Sequence, residues 1–465
     1  VKTARTALVA SLAAALVSVA LGAAGFALKS RVVAALPAAM ETAGPPLGVL
    51  HFVDNAIDSW KPMALALTIF HSPEHDRLFE ALRDFQVADS FGRAGDLSAF
   101  EDSKKFQYPL SSLLPIEALR AIGFGTVRDL NLIDILFYLL ELIAVVYLAD
   151  RVFAARSARD RLAVAAVALA IAGTYYPVFM ALTYGNIQLW IDLFFTAACV
   201  AWWKRRFFAA GLAIGLAAMI KPQFAALLLW AVLWRQWRFG AGFLAVAVPV
   251  GLASLAYFGL HNNLAYLDVL SLISQHGERY YLNESVNGIV HRLIEDGSAP
   301  VLAGDLGDYA PYRQAVYGAT LIAAAIFAAI ALLPAWRRAG EGPDIVDLAL
   351  AATCFTIGAP VVWPYHYGIL LPVFVVALKA ALDRPRALAV LAVAWVLCAS
   401  YLPLIRLVYH APWNLAGNPC FFGAILLIGV LVYCRQPSYR STETPRLRSG
   451  DGAKGGAAAA ARQAG

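Results

Sequence analysis

The sequence predicts an all-α fold: a polytopic membrane helix bundle of about twelve transmembrane helices. Three observations predict it. Hydrophobic residues make up 60% of the 465 positions and charged residues only 15%, against roughly half and a quarter in soluble domains. Mean hydropathy is +0.65. Apolar runs of about 20 residues, the length that crosses a bilayer as helix, recur from end to end. In lipid the backbone must satisfy its own hydrogen bonds, so these runs are read as helices. The short alternating segments of a β-barrel are missing from the pattern.

Taken in order, the predicted spans are 6–28, 130–149, 162–181, 187–203, 207–220, 222–234, 240–260, 311–335, 346–363, 366–381, 387–405 and 418–434. The first has a basic start in Lys2 and Arg5, like a signal peptide. Its apolar core is longer than a signal segment's, and Lys29 and Arg31 follow it, so it reads as an uncleaved helix. Val1 points to an alternative bacterial start codon or to a chain lacking its true start. Basic clusters at Arg151–Arg161, Lys204–Arg206, Arg235–Arg238, Arg337–Arg338 and Lys379–Arg386 each follow an even-numbered span. The positive-inside rule then puts both termini in the cytoplasm. The net charge of +6 is accounted for by this orientation. No groove-like mixture of basic and aromatic residues suggests nucleic acid.

One membrane unit over 1–435 is expected, with two long extracytoplasmic stretches, 29–128 and 261–310. The first holds a run at helical amphipathic spacing, 62–91, read as a helix lying at the membrane interface. Residues 107–115 read as a re-entrant or packed segment. The tail, 436–465, is polar and then Ala/Gly-rich, which predicts disorder. The five cysteines are scattered through apolar runs without a C-x-x-C pair and read as small buried hydrophobes.

Candidate functional residues gather at the predicted outer ends of the spans. Asp54 and Asp58 follow the first span, with Trp60 and Pro62 just behind. Asp58 suits a catalytic carboxylate or the cap of a helix beginning near Pro62; Ser59 suits the cap equally well. Asp54 is a secondary candidate that also suits a solvated loop. Lys221, alone between two apolar segments, either snorkels to the interface or holds a phosphate. His366, in Trp363-Pro-Tyr-His366, is a hydrogen-bond donor to phosphate or sugar, or a structural histidine. Tyr184 and Asn186 form a polar turn between spans. Asn283, Asn287 and Arg292 lie in the second long stretch, where Arg292 binds an anion or pairs with Glu295. No compact set of metal ligands and no Gly-rich phosphate loop is present, so neither a metal nor a nucleotide cofactor is expected.

The order of these features resembles the GT-C membrane glycosyltransferases, and glycosyltransferase family 87 in particular. The motifs are Asp58 ahead of an interfacial helix, Phe106-Gln-Tyr-Pro109, Tyr184-Gly-Asn186, and Gly215…Lys221-Pro222. After these come Asn283-x-Ser285-x-x-Gly288…Arg292 and Pro360-x-x-Trp363-x-x-His366. The last departs from the family's usual Ser-Pro…Trp-Asp-His-His at Ala359, Pro364 and Tyr365. The resemblance implies transfer of a hexose, mannose foremost, from a polyprenyl-phosphate donor to a lipid or glycan acceptor. It further implies an extracytoplasmic site on a bacterial inner membrane. Asp58 would be the general base of an inverting reaction. Lys221, His366 and Arg292 would hold the donor phosphate, with Tyr184, Asn186, Asn283 and Asn287 also binding the donor's phosphate or sugar and Tyr108 a secondary candidate. A polytopic transporter or flippase also needs intramembrane polar residues, but its usual inverted repeats are not evident here. A sugar-polymer ligase or polymerase of the same architecture is a second alternative.

Overall fold

The structure is a computed structural model that describes residues 12–24, 56, 58–82, 106–154, 157–295, 310–337, 342–400, 402 and 411–435. Every regular element among them is helical. The first apolar helix, α1, covers Leu12–Ala24. The chain re-enters at α2 (Trp60–Phe70) and continues through α3 (Leu114–Ala121) and α4 (Val127–Phe153). A bent pair follows, α5 (Ala158–Gly173) and α6 (Tyr176–Tyr184), and then α7 (Gln188–Trp203) and α8 (Phe207–Ile220). Next come α9 (Ala226–Leu233), α10 (Trp237–Phe258), α11 (Leu260–His276) and α12 (Val286–Glu295). The bundle closes with α13 (Gln314–Arg337), α14 (Ile345–Ile357), α15 (Leu370–Ala381), α16 (Pro385–Ala399) and α17 (Pro419–Cys434).

Two long helices carry apolar stripes at helical spacing that no other described part of the protein covers. They are Leu132, Leu136, Leu139 and Ile143 on α4, and Leu244, Val248, Leu252 and Leu255 on α10, each 41–64% exposed. Such stripes are surfaces for lipid. Several apolar helices of this kind make a multi-pass membrane protein. Among the described residues four helices are long and apolar enough to cross a membrane, or five if the bent pair counts as one. The twelve continuous spans expected from hydropathy are not shown. The other apolar helices are shorter. A 16-residue helix such as α7 reaches only about 24 Å, against a hydrocarbon core of roughly 30 Å.

The elements differ from the expectation in three further places. The interfacial run 62–91 is not one helix. It begins at Trp60, stops at Phe70, makes a 3-10 turn at His75–Arg77 and resumes over 78–82. Ser72 precedes Pro73, and the residue before a proline is pushed out of helical geometry. Span 162–181 bends by 53° between α5 and α6, because Pro177 starts a new helix in its first turn. The stretch 261–310 opens not as loop but as α11, and its residues 296–309 lie outside the described set, as do 29–55 and the tail.

Polar bonds join α4 to α7 inside the bundle. Trp190 Nε1 donates to Asp134 Oδ1 at 3.0 Å, and Thr196 Oγ1 to Glu141 Oε1 at 2.7 Å. Buried Glu284 receives the backbone N–H of Cys420 (2.7 Å) at the start of α17, where unpaired N–H groups favour an anion. All five cysteines are free and buried.

Helices α8 and α10 pack backbone to backbone. Gly211 of α8 lies against the Phe239 carbonyl and Gly242 of α10 against the Phe208 carbonyl, so a β-carbon at either position would overlap backbone. This approach fixes the helix whose last residue precedes Lys221. Gly211→Val is therefore expected to lower unfolding stability by about 1–3 kcal/mol, read as a fall in thermal midpoint. Gly173→Ala, where nothing lies within 4 Å of the added carbon, is expected to leave the midpoint unchanged or slightly raised.

Candidate active site

The site is assembled where helices are interrupted. The loop before α2 is clamped onto the turn between α6 and α7. Asp58 N–H donates to the Tyr184 carbonyl at 2.8 Å, and Ser59 N–H to the Gly185 carbonyl at 3.1 Å. In return Ile187 N–H donates to Ser59 Oγ at 3.1 Å. Gly185 takes the left-handed conformation (φ 65°) that ends α6, and it faces the Ala56 backbone too closely to admit a β-carbon. Trp60 Nε1 and the Ala56 carbonyl both bond Asn131 of α4 (3.0 and 2.8 Å). Ser59 starts α2 without capping it, since its hydroxyl serves Ile187 and meets Tyr108 OH at 2.9 Å.

That arrangement leaves Asp58 facing a cavity rather than a helix end. Asn186 Nδ2 donates to its Oδ2. The amide is held in that sense because Asn186 Oδ1 receives the Gln188 N–H at 2.8 Å. Burial pushes the Asp58 carboxyl above its ordinary value, against the pull of hydrogen bonds from Asn186 and Tyr365 and of the Lys221 charge.

Lys221 follows α8 directly, where Pro222 forces the break before the 3-10 turn Pro222–Ala225. Its Nζ donates to Gln188 Oε1 at 2.8 Å, and Gln188 Nε2 donates to Asp192 Oδ1 at 2.8 Å. It lies 5.9 Å from the centre of the Tyr365 ring. Burial lowers Lys221 to about 7, with Asp192 and then Asp58 working in the opposite direction. His366 sits in the 3-10 turn Pro364–Ile369, and its Nδ1 accepts the Trp363 N–H at 2.9 Å. A neutral ring so held carries its proton on Nε2 and is a donor there.

Asp58, Tyr108, Lys221 and His366 line one cavity of about 460 Å³. Its size suits a small organic ligand or the head of a larger one. Asn186 reaches it through Asp58, whereas Tyr184 contributes a backbone carbonyl to the clamp. Three candidates lie away from it and hold the second loop together. Arg292 donates to the carbonyls of Tyr280 (2.9 Å) and Asn283 (3.0 Å) and to Asn418 Oδ1. Asn283 bonds the backbone of Glu278, Pro360 and Val362, and Asn287 bonds Thr320. Asp54 lies outside the described residues. Among the polar residues on the cavity wall that sequence reasoning missed are Gln107, Ser274 and Glu278. The helix-ending Gly277 beside Glu278, followed by Arg279-Tyr280-Tyr281, was the available signal. Among the described residues no group of three or more His, Cys, Asp or Glu side chains is placed to hold a metal ion.

The profile of glycosyltransferase family 87 matches residues 106–364, more than half of the chain. The chain belongs to glycosyltransferase family 87. It is a glycosyltransferase, an enzyme that moves a sugar from a donor to an acceptor. No curated protein and no solved structure matches it. Tyr108, Lys221 and Glu278 fall within the matched region of this family 87 enzyme. Asp58 precedes that region and His366 lies just past it; the folded chain brings all five to the same cavity.

Proposed function

We propose that this family 87 enzyme transfers a hexose, mannose foremost, from a polyprenyl-phosphate donor to a hydroxyl of a lipid or glycan acceptor, with inversion at the anomeric carbon. The site would face the extracytoplasmic side of a bacterial plasma membrane, in keeping with the alternation of basic clusters along the sequence. The observation that carries the reading is a carboxylate and a buried ammonium facing one cavity, bridged by Tyr365.

Each residue has a separate task. Lys221 and the Nε2–H of His366 hold the donor phosphate and stabilise charge as it leaves. Asp58 accepts the proton of the acceptor hydroxyl. The acceptor oxygen bonds to the anomeric carbon while the carbon–oxygen bond to phosphate breaks, and its electron pair stays on the lipid phosphate. One displacement with one base inverts the centre, whereas retention needs a second carboxylate acting as nucleophile. Arg292 is not needed for this assignment, because its guanidinium is committed to backbone carbonyls and Asn418.

Asp58→Asn keeps shape and hydrogen bonding but removes basicity, so transfer from a polyprenyl-phosphate hexose is expected to fall about 10²-fold or more. Asp54→Asn is expected to cost far less, with thermal stability near wild type for both. Wild-type transfer by purified Asp58→Asn protein contradicts the assignment.

The pH profile tests Lys221. Its ammonium must be charged to hold phosphate, so kcat/KM for the donor is expected to fall as pH rises through about 7. Asp58 must be ionised, so the acid limb is expected above the ordinary carboxylate range. Lys221→Arg keeps its charge at all working pH and is expected to move the alkaline limb upward. An alkaline limb unmoved in that variant removes Lys221 from phosphate binding.

A further inference from the structure

One wall of the cavity carries a graded row of side chains. Lys221 stands at one end, 5.9 Å from the Tyr365 ring. Tyr365, whose side chain also bonds Asp58, is 5.6 Å from the Trp363 ring. At the far end is Glu278, 7% exposed and lining the cavity. Trp363 Nε1 donates to Glu278 Oε2 at 2.8 Å, and Gln107 Nε2 donates to Oε1 at 3.2 Å. The order along the wall is cation, base, aromatic surface, carboxylate.

We infer that Glu278, oriented by Trp363 and Gln107, is the subsite for a polyhydroxylated acceptor: it accepts hydrogen bonds from sugar hydroxyls while Trp363 packs against the sugar's apolar face. The inference rests on the lipid-phosphate reading of Lys221 and Asp58, which sets the direction of the row. An anionic phosphate is drawn to the Lys221 end and repelled from the Glu278 end. The attacking hydroxyl belongs at Asp58, so the rest of the acceptor extends past Asp58, away from Lys221 and toward Glu278. A carboxylate offers about four acceptor positions, and bonds to both oxygens fix its plane. Those bonds pre-orient it for paired hydroxyls without ordering cost at binding. The Trp363 ring adds a flat apolar face on which pyranose C–H groups pack.

The test uses the full-length enzyme in lipid nanodiscs, with a polyprenyl-phosphate hexose as donor and n-octyl hexopyranosides as acceptors. Glu278→Gln is expected to raise the acceptor KM about tenfold or more, as loss of hydrogen bonds to a charged group does. Donor KM is expected to stay within about twofold of wild type. Gln107→Ala, which frees only one carboxylate oxygen, is expected to shift the same acceptor KM less, and it carries the test should Glu278→Gln fold poorly. An unchanged acceptor KM overturns the inference, and so does a matching rise in donor KM. Direct binding of the octyl hexosides separates the two readings. Glu278-dependent binding by a wild-type protein that takes no polyprenyl donor would sink the donor assignment while keeping the subsite. Binding indifferent to Glu278 would sink the subsite alone.

Discussion

The clamp between the 58–59 backbone and the 184–187 turn is the constraint on which the site depends. Two backbone hydrogen bonds run one way and one from Ile187 to Ser59 runs back. This reciprocal pairing satisfies groups that would otherwise be orphaned at the end of α6 and the start of α2. It also decides what Asp58 does. With Ser59 engaged by Ile187 and Tyr108, and the Asp58 N–H spent on Tyr184, the carboxylate is turned to Asn186 and the cavity. Gly185 makes the approach possible, because a side chain there would displace the Ala56 backbone.

The same economy explains the helix lengths. The bundle is not a set of uniform spans but a set of helices cut at polar turns. These are Gly185-Asn186 after α6, Lys221-Pro222 after α8, and the 358–363 stretch after α14. The last two of these turns supply cavity-lining residues. Buried bonds such as Trp190 to Asp134 and Thr196 to Glu141 keep α7, which carries Gln188, in register with α4.

Much of this was legible in the sequence because charge is rare in such a chain. A lone Lys221 between apolar segments, Asp58 ahead of an amphipathic run, and His366 in an aromatic turn each stand out against an apolar background, and the folded chain places all three on one cavity. Arg292 stood out for the same reason. Its partners include backbone carbonyls of Tyr280 and Asn283 and the side chain of Asn418, which composition cannot reveal. Glu278 was hidden because the stretch around it is polar throughout, so one more carboxylate carried no contrast. Twelve continuous spans are not shown among the described residues, because hydropathy windows do not register a proline that cuts an apolar run. The bend before Pro177 and the stop before Pro73 are both of that kind.

The central claim is that a lipid phosphate sits at Lys221 with the anomeric carbon turned to Asp58. A cryo-electron microscopy structure of the enzyme with a non-cleavable polyprenyl-phosphonate hexose tests it most directly. The account requires a phosphonate oxygen within hydrogen-bond distance of Lys221 Nζ, about 3 Å, and the hexose between Lys221 and Asp58 in the cavity. A phosphonate bound elsewhere, with Lys221 still engaged only by Gln188, would contradict it.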